Sequence, residues 1–417
     1  MPRARRRRAA ALLAAAALVA GCGTLPPASN PAGDAPRLLV VLPPSPTPVW
    51  RRHALELAAA HELYVYQAWM MRSLDRPCIV YGLIPGASLE RTVERLAADR
   101  RVESAQVVQS FRVLAASPAT RPEAAPGGDP YGELQHALGE LRAALAHRWA
   151  TGLGVTVAVV DTGVDVGHPD LAGRVVKAVN FVERGERSFT RDVHGTAVAG
   201  VVAAVAGNGV GIAGVAPQAR LMAMKACWPL VAGSADSACD SYTLAQAVDT
   251  AVAEGADVLN LSLTGPDDPL LRQLLESAAA GGVAVVAAAD EARADLGFPA
   301  SLPAVIAVRA APLPGAAALA TTVAPRRPIL SAPGADVLTT VPGGGYDFFS
   351  GSSMAAAHVA GVVALLLERQ PSLSPAELER RLADSAAASA VVDACEAVAR
   401  LLEIPEGCLA AGDRRAR

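Results

Sequence analysis

Three short segments carry side chains that could act together in catalysis. An apolar run, Val157–Val160, ends in a carboxylate at Asp161, while His194 and Ser353 each stand at the start of an apolar, helix-like stretch. A serine hydroxyl becomes a nucleophile when an imidazole takes its proton and a carboxylate orients that imidazole and stabilises its charged form. The sequence therefore predicts a catalytic triad of Asp161, His194 and Ser353.

The order of these residues along the chain separates classes of serine hydrolase. The α/β-hydrolases run Ser, Asp, His and place the serine in a G-x-S-x-G turn. Here the order is Asp, His, Ser, and Ala355 stands where the second Gly of that turn would be. An α/β-hydrolase esterase is therefore disfavoured.

The sequence resembles the subtilisin-like serine proteases over roughly residues 130–400. Besides the three triad segments, the motifs that carry the resemblance are Gly167-His168-Pro169-Asp170-Leu171, Val215-Ala216-Pro217, Asn260-Leu261-Ser262-Leu263 and Phe298-Pro299-Ala300. The resemblance implies a serine endopeptidase that works through an acyl-enzyme. It also implies that an extended peptide substrate pairs as an added strand with the backbone of Ser262, Leu263, Thr264 and Gly265.

The segment expected to stabilise the oxyanion departs from the family pattern. The resemblance implies two donors, the backbone N–H of Ser353 at a helix N-terminus and an Asn side chain in an Ala-Ala-Gly-Asn stretch. This chain instead reads Ala287-Ala288-Ala289-Asp290-Glu291. Asp290 is the expected occupant, with Glu291 one residue away, and an ionised carboxylate cannot donate a hydrogen bond.

Two interpretations of Asp290 remain open. Burial raises a carboxyl pKa, so a protonated Asp290 could donate, as Asp does at this position in some prohormone convertases, and activity would then be highest at mildly acidic pH. Alternatively, loss of the donor costs about 10²–10³ in turnover, a magnitude known from a subtilisin. The chain would then be a weak or inactive protease fold that serves as a binding or scaffold lipoprotein.

The N-terminus predicts export and a lipid anchor. Five arginines before residue 9 precede a short apolar run, too short for the about 20 residues of a membrane span, so residues 1–21 are predicted to be a cleaved signal peptide. Leu18-Val19-Ala20-Gly21-Cys22 resembles a bacterial lipobox, which implies lipidation of Cys22; an ordinary signal peptide is the alternative. Because Gly23 is not an Asp resembling a retention signal, we expect the outer membrane or cell surface.

The sequence predicts six parts, of which the signal peptide is the first. A Pro-rich tether over 22–36 precedes a domain over 37–115, a Pro/Gly-rich linker over 116–130, a catalytic domain over 131–405 and a tail over 406–417. The 37–115 domain, with its last strand at Ala105–Leu114, has a β-α-β-β-α-β order that predicts a small α+β ferredoxin-like layer. It is similar in pattern to the propeptides that assist folding of these proteases and then inhibit them.

The catalytic domain is predicted to be α/β, with a subtilisin-like parallel sheet and helices on both faces. Apolar runs such as Val155–Val160 and Val283–Ala289 suit strands buried on both faces. Helical stretches such as Tyr242–Glu254 and Pro269–Ala280 alternate with them. This alternation is typical of parallel sheets covered by helices.

Cysteines and cation ligands complete the candidate residues. Export permits disulfides, and close spacing favours Cys227 with Cys239 and Cys395 with Cys408, although spacing does not fix connectivity. No cofactor is expected to be required. The resemblance does imply a structural calcium ion as an option, with Asp170 and Asn208 as ligands.

Composition narrows the partners. The 417 residues carry a formal net charge of −3, and no block of Lys or Arg lies outside the N-terminus. Nucleic-acid-binding proteins concentrate basic residues on one face, so nucleic acid is not an expected partner. The expected partners are a peptide or protein substrate, the chain's own N-terminal propeptide-like domain and a membrane contacted through the lipid.

Overall fold

The computed structural model describes residues 36–114, 129–182, 189–311, 329–404 and Cys408. Within the chain, contacts separate two compact units, Met1–Val108 and Gln109–Arg417. The predicted signal peptide, the lipidation site at Cys22 and the tether up to residue 35 lie outside the described residues, as do most of the linker and nearly all of the tail. These assignments therefore remain predictions.

The first unit is an antiparallel sheet with two helices. Its elements are β1 Arg37–Val41, α1 Thr47–Ala60, β2 Leu63–Met71, β3 Arg76–Leu83, α2 Leu89–Ala97 and β4 Ser104–Val107. The strand order is β2-β3-β1-β4, and every pair is antiparallel. This element order and sheet order confirm the predicted ferredoxin-like layer. Its core includes Leu38, Leu57, Ile79, Tyr81 and Leu96, which are fully buried.

The predicted single strand over Ala105–Leu114 is wrong. After β4 the chain begins a separate strand, β5, at Ser110–Val113, and the boundary between the two units falls between Val108 and Gln109. Gln109 exchanges hydrogen bonds with Ser241, donating its N–H to Ser241 Oγ at 2.8 Å and accepting the Ser241 N–H at 2.9 Å. The alternation of apolar and polar residues indicates which face of a strand is buried, but it does not indicate the partner strand. It therefore does not reveal where one strand ends and the next begins.

The second unit contains most of the secondary structure. After β5 its strands are β6 Thr156–Asp161, β7 Val175–Asn180, β8 Arg220–Lys225, β9 Cys227–Pro229, β10 Ser237–Asp240, β11 Val258–Leu261, β12 Leu263–Thr264, β13 Ala284–Ala288, β14 Ile306–Ala311, β15 Leu330–Pro333, β16 Val337–Val341 and β17 Gly345–Phe349. Its helices are α3 His136–Glu140, α4 Ala143–Ala146, α5 Val193–Ala203, α6 Ser241–Ala253, α7 Pro269–Ala280, α8 Ser352–Arg369, α9 Pro375–Ser385 and α10 Ala394–Leu401, with 3₁₀ turns at Gly132–Leu134 and Pro169–Leu171.

A seven-stranded parallel sheet forms the centre of the second unit. Its order is β15-β14-β13-β11-β6-β8-β7, and every pair is parallel. Val157, Val159 and Val286 are fully buried in its core, as expected for strands covered on both faces. The predicted α/β class with a subtilisin-like parallel sheet is therefore confirmed.

Two smaller sheets lie beside the central one. One has the order β12-β5-β10-β9, so that β5 lies between β12 and β10; the other is the β16-β17 hairpin. The Cys227–Cys239 disulfide joins β9 to β10, and Cys395 pairs with Cys408. Both predicted disulfides are thus formed, and a cross-link of this kind stabilises a fold mainly by restricting the unfolded chain.

The helix that begins at Ser352 is the hydrophobic centre of the second unit. Its residues from Met354 to Leu366 are at most 2% exposed. Within the described part of the chain it is the one helix long and apolar enough to cross a membrane, but 89% of it is buried inside the protein. That burial is typical of a core helix, and it fixes the position of the serine at the N-terminal end.

Candidate active site

The first two predicted triad residues are in direct contact. Asp161 is the last residue of β6, and His194 is the second residue of α5. Asp161 Oδ1 lies 2.7 Å from His194 Nδ1, with the two side chains 1% and 0% exposed, and it also accepts the Thr162 N–H at 2.6 Å. An Nδ1–H that donates to the carboxylate leaves Nε2 as a proton acceptor, and Nε2 is buried with no partner among the described residues.

Ser353 lies at the N-terminal end of α8, fully buried. Its Oγ donates to the Ser262 carbonyl oxygen at 3.1 Å, so its hydrogen bond is directed at β11–β12 and not at His194. Its backbone N–H donates to the carbonyl oxygen of Leu114 at 3.3 Å. A helix N-terminus carries free N–H groups and the positive end of the helix dipole, so this N–H suits an oxygen that gains negative charge.

The Leu114 carbonyl that accepts the Ser353 N–H directly follows strand β5 of the same chain. Strand β5 pairs with β12 on one side, with Val113 opposite Leu263 and Arg112 opposite Thr264. It pairs with β10 on the other side, where Arg112 is opposite Ala238. An extended segment is thus held between two strands, as a peptide is held in strand addition.

The predicted substrate-binding residues all lie along this segment. The Ser262 carbonyl accepts the Leu114 N–H at 3.2 Å, and Leu263 and Thr264 form β12. Gly265 lies against Phe111, because a Cβ added to Gly265 would meet the Phe111 ring at 2.2 Å. The strand β10 on the other side was not predicted, because its short polar sequence carries no strand signal.

Asp290 does not contact the Leu114 carbonyl. It is 5% exposed, and its Oδ2 accepts from the Arg112 guanidinium at 2.7 Å while its Oδ1 accepts the Ala292 N–H at 3.2 Å. Both oxygens accept hydrogen bonds, so neither is placed to donate one to an oxyanion. The expectation of a protonated donor at the oxyanion is therefore not supported by these contacts. The neighbouring Glu291 accepts the Ala310 N–H through its Oε1 at 3.2 Å.

A cleft of about 590 Å³ adjoins these residues. Its lining includes Arg112, Leu114, Asp236, Asp290, Glu291 and Ser352. Three of those side chains are acidic and the one basic side chain comes from β5. If β5 is left out, the described walls of the cleft therefore contain three acidic side chains and no basic one.

The predicted calcium ligands meet, but they do not form a cation site. Asp170 is fully buried; its Oδ1 accepts from Asn208 Nδ2 at 2.8 Å, and its Oδ2 accepts from the Ile212 N–H at 2.8 Å and from the Tyr346 hydroxyl at 2.9 Å. Calcium takes six to eight oxygen ligands, whereas these neighbours present hydrogen-bond donors. Among the described residues no group of three or more His, Cys, Asp or Glu side chains could hold a metal. The residues therefore do not fit calcium.

A buried ion pair lies beside Asp161 and was missed from the sequence. Lys225 stands opposite Asp161 in the β6–β8 register and pairs with Asp192 at 2.5 Å, with the two side chains 1% and 5% exposed. Asp192 also accepts the Gly163 N–H at 2.7 Å, and burial raises its pKa despite the partner. A lysine inside the apolar run Leu221–Ala226 was the available signal.

Fold and geometry together define a class, the α/β serine hydrolases with the order Asp, His, Ser, and the comparisons agree. The family model described as the Subtilase family matches residues 152–400. The chain therefore belongs to the subtilase family.

Individual relatives support the same assignment. Subtilisin NAT of Bacillus subtilis subsp. natto is 35% identical over 265 residues, which are 62% of this chain and 66% of that protein. Subtilisin of Bacillus pumilus is 34% identical over 265 residues, which cover 91% of its length. Fervidolysin of Fervidobacterium pennivorans, described as a keratinolytic enzyme related to subtilisin, has a solved structure with a TM-score of 0.70 at 25% identity, over 91% of this chain and 62% of that one. This chain thus spans just under two thirds of the length of subtilisin NAT.

Proposed function

We propose that this chain is a serine endopeptidase that hydrolyses peptide bonds through an acyl-enzyme. The observation that carries the proposal is the hydrogen bond from the Ser353 N–H to the peptide carbonyl of Leu114. In addition, helices α5 and α8, which contain His194 and Ser353, are in contact. Membership of the subtilase family supports the same activity.

The proposed reaction starts from the arrangement described above. The Ser353 hydroxyl leaves the Ser262 carbonyl and donates to His194 Nε2, which takes its proton as Oγ attacks the carbonyl carbon. The oxyanion that forms accepts from the Ser353 N–H, and Asp161 stabilises the imidazolium. His194 then gives the proton to the leaving amine as the C–N bond breaks. Water, deprotonated by His194, hydrolyses the ester and restores Ser353.

The first substrate is proposed to be the chain itself, at the bond between Leu114 and Ala115. Ahead of that bond, Phe111 and Arg112 pair with β10 and Arg112 and Val113 pair with β12, while the Leu114 N–H donates to the Ser262 carbonyl. After cleavage the same pairing would keep this segment in the cleft, which makes residues N-terminal to it an inhibitory propeptide. Such a product blocks further turnover until it is degraded or released.

Comparison of wild type with Ser353→Ala tests this function. Each is produced without residues 1–21 and its intact mass is followed over time. Wild type is expected to split into two fragments and Ser353→Ala to remain whole, because the nucleophile is absent. A wild type that stays whole between about pH 5 and pH 9 would favour the second candidate, a binding or scaffold lipoprotein. The specific observation in its favour is Asp290 in place of a neutral oxyanion donor.

We further propose that the protein is exported and anchored through a lipidated Cys22. The arginines before residue 9 and the Cys22 motif support this, and two disulfides suit an oxidising compartment. In the bacterial host, wild type is expected in the detergent phase of a membrane fraction and to take up labelled palmitate. Cys22→Ser should lose the label, whereas Cys78→Ser, which changes a buried cysteine outside both disulfides, should keep it. Equal labelling of both variants would contradict the anchor.

A further inference from the structure

Asp290 contacts the Arg112 side chain of strand β5 and not the Leu114 carbonyl, which is the carbonyl proposed to be attacked. Arg112 lies two residues before Leu114, and residues i and i+2 of a strand project to the same face. From that face the guanidinium reaches Asp290 Oδ2 at 2.7 Å, although 64% of the Arg112 side chain is exposed against 6% for Asp290. The fixed partner in this contact is therefore the buried carboxylate of the cleft.

Asp290 has no other cation bound to it among the described residues. Arg293, the nearest in sequence, donates twice to Asp295, at 2.9 and 2.8 Å. Arg309, whose charge acts on the neighbouring Glu291, donates to Ser331 at 2.8 Å. Asp290 is left with the Ala292 N–H and with Arg112.

This isolation has a chemical consequence. A carboxylate near a carbonyl that becomes an oxyanion opposes the reaction, because like charges repel in a site with little water. A guanidinium bound to that carboxylate cancels its charge. Once the segment that carries Arg112 has left the cleft, the next peptide has to supply the cation.

We propose that the cleft selects peptides with arginine two residues before the residue whose carbonyl is attacked, and that Asp290 is the residue that binds it. This specificity rests on the proposed function. Lysine is a poorer substitute because its ammonium is a compact, strongly hydrated charge that lacks the planar fork of arginine. A neutral side chain at this position leaves Asp290 without the ion pair that Arg112 makes.

Self-cleavage of the full chain provides the first test. Arg112→Gln is expected to slow cleavage after Leu114 by about 10- to 100-fold, the value of a hydrogen bond to a charged group. The rate of Arg112→Lys should lie between those of wild type and Arg112→Gln. In the Asp290→Asn background the same Arg112→Gln change is expected to alter the rate less than about threefold, because an amide neither needs nor attracts the cation. Asp236→Asn, which removes another cleft carboxylate, is the matched control and should keep the full dependence on Arg112.

A second test is independent of catalysis. In the Ser353→Ala background, hydrogen exchange of the amides of residues 110–114 reports how often β5 leaves the cleft. Arg112→Gln should speed this exchange by about 10- to 100-fold, and should have no effect once Asp290 is Asn.

The outcomes separate the two proposals. If wild type cleaves itself and Arg112→Gln cleaves equally fast, the specificity is overturned while the peptidase function stands. If no variant is cleaved but exchange depends on both Arg112 and Asp290, the peptidase function fails and the recognition of arginine stands. If exchange depends on neither residue, the recognition is overturned whatever the cleavage result.

Discussion

Replacement of Asp161 by Asn is expected to lower kcat for peptide hydrolysis by about 10⁴-fold, the cost of the same change in another serine-protease triad. Asp161 is 1% exposed and is bonded to His194 and to the Thr162 N–H. Asn keeps the shape and one acceptor oxygen, but it loses the negative charge that stabilises the imidazolium. It also places an NH₂ group where the buried Oδ2 has no partner among the described residues.

The measurement is kcat on a fluorogenic peptide ending in Phe-Arg-Val-Leu, with the melting temperature recorded for the same samples. Asp267→Asn is the matched control, because Asp267 is 62% exposed and pairs with Arg272 and not with a triad residue. Its kcat should match wild type. An Asp161→Asn enzyme within tenfold of wild type would show that His194 is not oriented by this carboxylate during the reaction.

The second large effect concerns stability. Lys225→Met is expected to lower the free energy of unfolding by about 3–5 kcal/mol, because it leaves the charge of Asp192 buried without its partner. Asp192 would retain the Gly163 N–H at 2.7 Å as its bond to the loop after Asp161. For a domain of this size the loss corresponds to a fall in melting temperature of roughly 10 °C.

The pH dependence of this variant has a defined sign. Burial raises the pKa of Asp192 above its ordinary value, and the Lys225 side chain opposes that rise. A carboxyl whose pKa is raised by folding binds its proton more tightly in the folded state, so its contribution to stability is present at low pH and is lost as pH rises through the folded pKa. The loss in free energy of unfolding caused by Lys225→Met should therefore be smallest at low pH and largest at neutral pH.

The double variant Lys225→Met with Asp192→Asn is the control for this account. It removes both charges, so it should recover much of the lost stability and lose the added pH dependence. Thermal unfolding of wild type, the single variant and the double variant at two pH values makes the comparison. A double variant no more stable than Lys225→Met would contradict a role for unpaired charge, and would point to lost packing instead.

The sequence was sufficient for the features that depend on local pattern. Buried strands gave continuous apolar runs, and Asp161, His194 and Ser353 stood at the ends of elements where a site can form. The segment Ser374-Pro375-Ala376-Glu377 has the sequence pattern of a capping box, and both of its reciprocal hydrogen bonds are present at the start of α9. Each of these signals lies within a few residues of the feature it predicts.

What the sequence did not predict depends on partners far apart in the chain. Arg112 and Asp290 are 178 positions apart, and Tyr346 contacts Asp170 across 176 positions. The first contact makes Asp290 an acceptor for arginine, a role that neither of the two interpretations of Asp290 included. The second places a hydroxyl donor on the carboxylate that the family pattern assigned to calcium. Neither pairing alters local periodicity, so no window of sequence reports it.

The central claim is that Ser353 attacks the carbonyl of Leu114, and the new N-terminus of the self-cleaved chain tests it most directly. Sequencing of the larger fragment is predicted to read from Ala115, as Ala-Ala-Ser-Pro, with no such fragment from Ser353→Ala. A fragment that begins elsewhere, or one that forms equally in Ser353→Ala, would contradict the account.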